Sequence, residues 1–185
     1  MNTRLLGTLC MIGGLAYVVE AIYASTTGSG DRNSLNVLLG MVWAFGAACG
    51  WLGFILIRGT GDNIAVRFLS FIPIVGLTLV FMIGLFALLT GAKPFDIPLT
   101  GVGLVVELVG IVLNTIFAIA TRALSGWRKF APLAVLLGVV LGGVITTLTQ
   151  GAILGIPLCL GIAYGILGYA VQTTVAEPQP VAQPV

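Results

Sequence analysis

Histidine is absent from this 185-residue chain, and charge is scarce, with only 8% of residues Asp, Glu, Lys or Arg. The first absence removes the commonest transition-metal ligand, the commonest general base and any haem held through imidazole. The second excludes a water-soluble body, because soluble domains carry roughly 25% charged residues. The net charge is +2 and there is no long basic run, so nothing here would grip a phosphate backbone and no nucleic-acid partner is expected. The three cysteines, Cys10, Cys49 and Cys159, fall in separate apolar runs and form no CxxC pair. They read as small hydrophobes and leave the redox compartment open. HExxH and GxSxG are both missing. The turns GSGD (28–31) and GTGD (59–62) lack the lysine and helix start of a phosphate loop. No lysine lies in an apolar run to hold a cofactor as a Schiff base. The expectation is therefore no enzyme, no catalytic residue, no metal and no cofactor.

What the chain has instead is apolar length. Hydrophobic residues make up 58% of it. They recur in runs of about 20, enough to cross a hydrocarbon core of about 30 Å as helices. Backbone polar groups in lipid need internal partners, which leaves helices or a closed barrel. A barrel shows apolar–polar alternation, and these runs are continuous. The fold class predicted is all-α: an integral membrane bundle of six transmembrane helices over residues 1–175.

The spans are expected at about 5–24, 35–57, 65–90, 99–121, 132–148 and 152–171. Glu20 stands where a signal-peptide cleavage region would be free of charge, so the first run reads as a span. Turn-rich stretches at 25–36, 58–63 and 91–98 separate the first four. Pro73 predicts a kink in the third and Pro132 suits the first turn of the fifth. A turn at Thr149-Gln150-Gly151 divides the last two, with a re-entrant hairpin as the alternative. Ile-Pro pairs at 72–73 and 156–157 hint at an inverted repeat. The final ten residues, 176–185, read as a disordered proline-rich tail.

Six spans place Arg4, Arg58, Arg67, Arg122, Arg128 and Lys129 on one side, and only Arg32 and Lys93 on the other. Basic residues mark the cytoplasmic face, so both termini are expected inside, in a multi-pass protein of the cell membrane. Trp127, beside the basic cluster, suits an interfacial anchor.

Glycine is the second theme, with 26 residues. GxxxG spacing occurs at Gly46/Gly50, Gly138/Gly142, Gly151/Gly155 and Gly161/Gly165. Small residues let helix backbones approach closely, so these are candidate packing faces within the bundle. One of them could serve another membrane protein or a second copy of the chain. The lipid bilayer is the certain partner.

The fourth span carries the most informative pattern. Thr100, Gly103, Glu107, Gly110, Asn114 and Thr121 recur at spacings of three and four, interrupted only by Phe117 before Thr121. They share one stripe, and Val, Leu, Ile and Ala fill most other positions. Glu107 is near mid-span, where a carboxylate must be neutralised, paired or wetted. Arg122 is about 22 Å further along the helix, so a neutral hydrogen-bond partner such as Tyr or Thr, or a water-filled cavity, is expected. Glu20, on a face with Tyr17, belongs to the same outer half and could share a cavity with Glu107. The candidate polar site is thus Glu107, Asn114, Thr100, Glu20 and Tyr17. Absent chemistry and many packing faces favour a non-catalytic accessory or partner-binding bundle. The polar stripe supports the alternative, a small transporter or channel for protons or a small solute. An enzyme acting on lipid is a third and weaker reading.

Overall fold

Long apolar runs with no aqueous backbone partners form helices along nearly their whole length. The computed structural model describes residues 2–27, 34–91, 98–121, 124–149 and 155–174, and over these it is helix and turn, with no strand. The helices are α1 (Thr3–Thr27), α2 (Ser34–Leu56), α3 (Ile64–Leu69), α4 (Ile72–Thr90), α5 (Pro98–Thr121), α6 (Ala131–Leu148) and α7 (Gly155–Thr174). A 3₁₀ turn, Gly126–Phe130, leads into α6. Six segments are long and apolar enough to cross a membrane; α3 and α4 together make one of them, Ile64–Thr90, and the 3₁₀ turn joins α6 in another, Gly126–Leu148. Lipid is the environment this architecture requires.

Local chemistry explains where the helices depart from the sequence reading. The expected loop at 25–36 is shorter, because α1 runs on to Thr27 and α2 starts at Ser34. Ser25 Oγ donates to the Ile22 carbonyl (2.6 Å) and Thr26 Oγ1 to that of Tyr23 (2.9 Å), so the hydroxyls are absorbed inside the helix. The third span is broken rather than kinked. Pro73 sits in the first turn of α4, where a missing N–H costs nothing, and Ser70-Phe71 form the joint. Asn63 Oδ1 caps α3 by accepting from Ala65 N at 2.9 Å and Val66 N at 3.4 Å. The second Ile-Pro pair, Ile156-Pro157, also lies in a first helical turn, so a helix start accounts locally for the shared motif. Thr149 ends α6. The rest of the expected turn there, the tail at 176–185 and the loop centres at 28–33 and 92–97 lie outside the described residues.

The spans pack in chain order and α7 closes on α1, giving a ring that is crossed by contacts between α2 and α7. Gln172 Nε2 reaches Thr8 Oγ1 at 3.5 Å, so the first and last helices bring the two ends of the described chain to one face. That face is called the terminal face below.

Glycine sets the closest seams. A Cβ on Gly14 would strike the Gly161 carbonyl, and one on Gly7 would come within 2.6 Å of the Gly168 carbonyl. Of the expected packing glycines, Gly46 would put a Cβ 2.7 Å from the Gly13 Cα, Gly50 faces the Cys10 side chain, and Gly161 faces Gly14. A Cβ on Gly138 or Gly142 of α6 would come within 3.0 Å of Cys159 or Gly155-Ile156 of α7. Gly165 differs: a Cβ there meets nothing within 4 Å, although its backbone N would lie 3.0 Å from a Cβ on Gly14. The helix rotates roughly 100° per residue, so Gly165 turns roughly 40° away from Gly161, whereas Gly168 is only about 20° off on the other side. The seam between α1 and α7 therefore repeats every seven residues, through Gly7/Gly14 and Gly161/Gly168.

On the terminal-face half the interior is solid, filled by Cys10, Ala47, Trp51, Phe54, Leu77, Leu167 and Val171. Trp127 is exposed in the 3₁₀ turn before α6 and stacks on Tyr169 with ring centroids 5.9 Å apart.

Candidate functional site

The polar stripe of α5 faces inward. Thr100, Gly103, Glu107, Gly110 and Asn114 are all buried, whereas Thr121 at the helix end is exposed. Two close approaches to the third span hold α5 at this rotation. A Cβ on Gly76 would fall 2.5 Å from Glu107 N, and Gly110 abuts the Pro73 ring. Broken helix and stripe thus fit together, with the proline lying in the groove that a glycine leaves.

Glu107 is 4% exposed. Tyr164 of α7 donates its hydroxyl to Glu107 Oε1 at 2.6 Å, and Trp51 Nε1 of α2 donates to the same Tyr164 oxygen at 3.3 Å. Three helices are therefore tied through one phenol at the centre of the ring. The neutral partner expected for Glu107 is Tyr164.

Above this knot, away from the terminal face, the ring is hollow. A cavity of about 490 Å³ is lined from all six spans: Tyr17 and Glu20 of α1, Asn36, Gly40 and Trp43 of α2, Val80 and Gly84 of α4, Thr100, Leu104, Glu107 and Leu108 of α5, Val139 and Thr146 of α6, and Pro157 and Leu160 of α7. Its walls come from the middle and later parts of α1, α4 and α6 and the earlier and middle parts of α2, α5 and α7, which places it from mid-bundle toward the side opposite the termini. Tyr17 and Trp43 stack at 4.3 Å with 15° between planes, and Trp43 meets Tyr164 edge-on at 6.1 Å. Among the described residues no lysine or arginine lines the space.

No family model, curated protein or solved structure matches this chain. The site's meaning must come from its own geometry. Four of the five candidate residues, Tyr17, Glu20, Thr100 and Glu107, line the one cavity. Asn114 does not. It lies two turns deeper, where Nδ2 donates to the Gly110 carbonyl at 2.8 Å and to the Ser70 carbonyl at 3.4 Å. Ser70 belongs to the joint between α3 and α4, so Asn114 braces the broken span and stands apart from the cavity.

Trp43, Asn36, Thr146 and Tyr164 are site residues that the sequence reading did not single out. Trp43 and Trp51 are spaced i, i+8 on one face of α2, and both are buried. That spacing was a usable signal. Asn36 fell where the expected loop (25–36) and second span (35–57) overlap, and nothing in the sequence there pointed to its burial against the cavity.

Cys10 is buried, and its Sγ lies 3.2 Å from the Tyr164 carbonyl. What the geometry offers is a hollow with apolar and aromatic walls, few polar groups, and a carboxyl at its floor. Such composition suits a bound small molecule.

Proposed function

We propose that this chain is a multi-pass membrane protein that takes a small solute into its intramembrane cavity, with Glu107 as the principal polar contact, and acts as a carrier for that solute. The observation that supports this is the cavity itself, about 490 Å³, walled by every span and floored by the Glu107–Tyr164–Trp51 knot. Its volume lies within the roughly 300–1,000 Å³ typical of ligand sites. A cavity open toward one half and solid toward the other is the arrangement expected of one state of an alternating carrier. Opening the other half would have to part the packing around Trp51 and Phe54.

The accessory-bundle reading draws less support. It relied on glycine faces being available to a partner, yet Gly46, Gly50, Gly138, Gly142 and Gly161 all pack against this chain's own helices. The same finding weakens a glycine-mediated homo-oligomer.

The test uses the full chain reconstituted in liposomes with an entrapped pH dye and challenged with classes of small solute. Gly40 lines the cavity, and a Cβ there meets only Glu20 Oε2, at 3.5 Å. Gly40→Leu should therefore fill the space without moving a helix and abolish solute-driven flux. Glu107→Gln should reduce it while leaving the fold intact. Flux that survives both substitutions in folded protein would rule out the cavity as the path.

A further inference from the structure

The α5 wall of the cavity does not stop at the inside of the ring. Helical rotation of roughly 100° per residue puts Gly103 and Gly110, which pack on α4, about 40° and 60° to one side of Glu107. On the other side, that of α6, the cavity-lining residues Thr100, Ile111, Leu104, Leu108 and Val105 follow at roughly 20°, 40°, 60°, 100° and 160°. Val105 is thus almost back to back with Glu107 and still borders the same space. It is 61% exposed, and Leu108 is 39% exposed. The cavity therefore runs round α5 and comes out on the lipid-facing surface. Of the neighbours in the ring, α5 and α6 share the least contact, and the passage lies between them.

Its depth is that of hydrocarbon. Val105 and Leu108 lie about 10 and 15 Å from the start of α5, and Val139, on the α6 wall, about 14 Å from the end of its helix. A bilayer core is about 30 Å thick, so a side opening at this level meets acyl chains and not water. Leu104, Val105, Leu108 and Val139 along it offer a polar solute no hydrogen bond in return for its hydration. Farther in, Trp43 lines the cavity at 3% exposure, and its Nε1 has no hydrogen-bond partner among the described residues. A buried indole N–H calls for an acceptor. A water fills about 30 Å³ and a methylene is of similar size, so the space of about 490 Å³ holds one chain of roughly sixteen carbons and not the two of a phospholipid.

Resting on the reading of the cavity as a solute site, we infer that its solute comes from the lipid: a single-chain amphiphile that enters between α5 and α6. Its head-group oxygen accepts from Trp43 Nε1, and its hydrocarbon tail lies along the aliphatic passage.

The experiment is contact quenching of Trp43 fluorescence by bromine in reconstituted bilayers. Trp51→Phe and Trp127→Phe leave Trp43 the sole tryptophan of the full chain, and circular dichroism checks that each variant is folded. Dibromostearyl alcohol should quench saturably, at a mole fraction at least about tenfold below that needed by phosphatidylcholine with dibrominated chains or by dibromooctadecane, which lacks the hydroxyl. Dibromopropanol, the same head without the tail, should show no saturable quenching. Gly40→Leu should remove the saturable component. Val105→Phe with Leu108→Phe, both at exposed positions, should slow the onset of quenching by at least about threefold and leave its end point. Saturable, Gly40→Leu-sensitive quenching by dibromopropanol as strong as by the long alcohol overturns the lipid-borne class and leaves the solute site standing. Quenching by brominated phosphatidylcholine or dibromooctadecane at the same mole fraction as the alcohol overturns the single-chain or the head-group assignment respectively. An onset unchanged by the two phenylalanines overturns the side route. Quenching by the alcohol that survives Gly40→Leu, or none that saturates, overturns the inference as a whole, and the liposome flux experiment then decides the carrier reading on its own.

Discussion

Tyr164→Phe removes one oxygen and nothing else, yet it should be among the more damaging conservative changes in this bundle. The phenol accepts from Trp51 Nε1 at 3.3 Å and donates to Glu107 Oε1 at 2.6 Å, with Tyr164 and Trp51 at 0% exposure and Glu107 at 4%. Leaving a buried donor or acceptor unsatisfied costs about 1–3 kcal/mol. Interhelical hydrogen bonds in membranes average about 0.6 kcal/mol in double-mutant cycles and reach about 1.7. The contact at 2.6 Å is short, and the one at 3.3 Å is beyond the usual range for a strong N–H···O bond. Most of the loss should therefore come from the Glu107 side, and a total of about 1.5–3 kcal/mol is expected. The assay is reversible unfolding in mixed micelles, followed by circular dichroism. Two cycles apportion the loss. Tyr164→Phe combined with Glu107→Met should show coupling of about 1–2 kcal/mol, because methionine keeps the length and removes the acceptor. Tyr164→Phe combined with Trp51→Phe should show coupling near or below about 0.6 kcal/mol. A silent Tyr164→Phe, or a Trp51 coupling larger than that of Glu107, would falsify the central knot as described.

Two further outcomes check the packing and the topology. Gly14→Leu should destabilise the bundle by about 3 kcal/mol or more, since its Cβ would strike the Gly161 carbonyl, whereas Gly165→Ala should stay within about 0.5 kcal/mol because its Cβ meets open space. Thermal unfolding in detergent separates the two, and equal sensitivity would mean the seam between α1 and α7 is drawn wrongly. If the split of basic residues sets the orientation, with both termini in the cytoplasm, impermeant labelling of cysteines introduced at Ser29 and at Gln183 in a cysteine-free chain should report opposite sides of the membrane; labelling from one side alone would refute it.

The spans were legible because a run of about 20 apolar residues has few other fates once charge is this scarce. The inward face of α5 was legible for a related reason. Spacings of three and four mark one side of a helix, and a mid-span carboxyl can turn only toward the interior. Both arguments are local, and locality is where they stop. Tyr164 is 57 residues from Glu107, and only the closing of α7 onto α1 and across to α2 brings its hydroxyl to the centre. The seam between α1 and α7 was only half legible, for a different reason. GxxxG counts one turn of contact, but two antiparallel helices that stay together through the membrane meet again every second turn. The pair that matters on α1 and α7 is thus spaced seven apart, Gly7 with Gly168 and Gly14 with Gly161. Asn114 shows the limit most clearly. By spacing it was indistinguishable from Glu107, one stripe and two turns along. Its role was decided by Pro73 on another helix, which breaks the third span beside it and leaves the Ser70 carbonyl for its amide to meet at 3.4 Å. A stripe tells which residues face inward, and the neighbouring backbone decides whether each one meets a cavity or a brace.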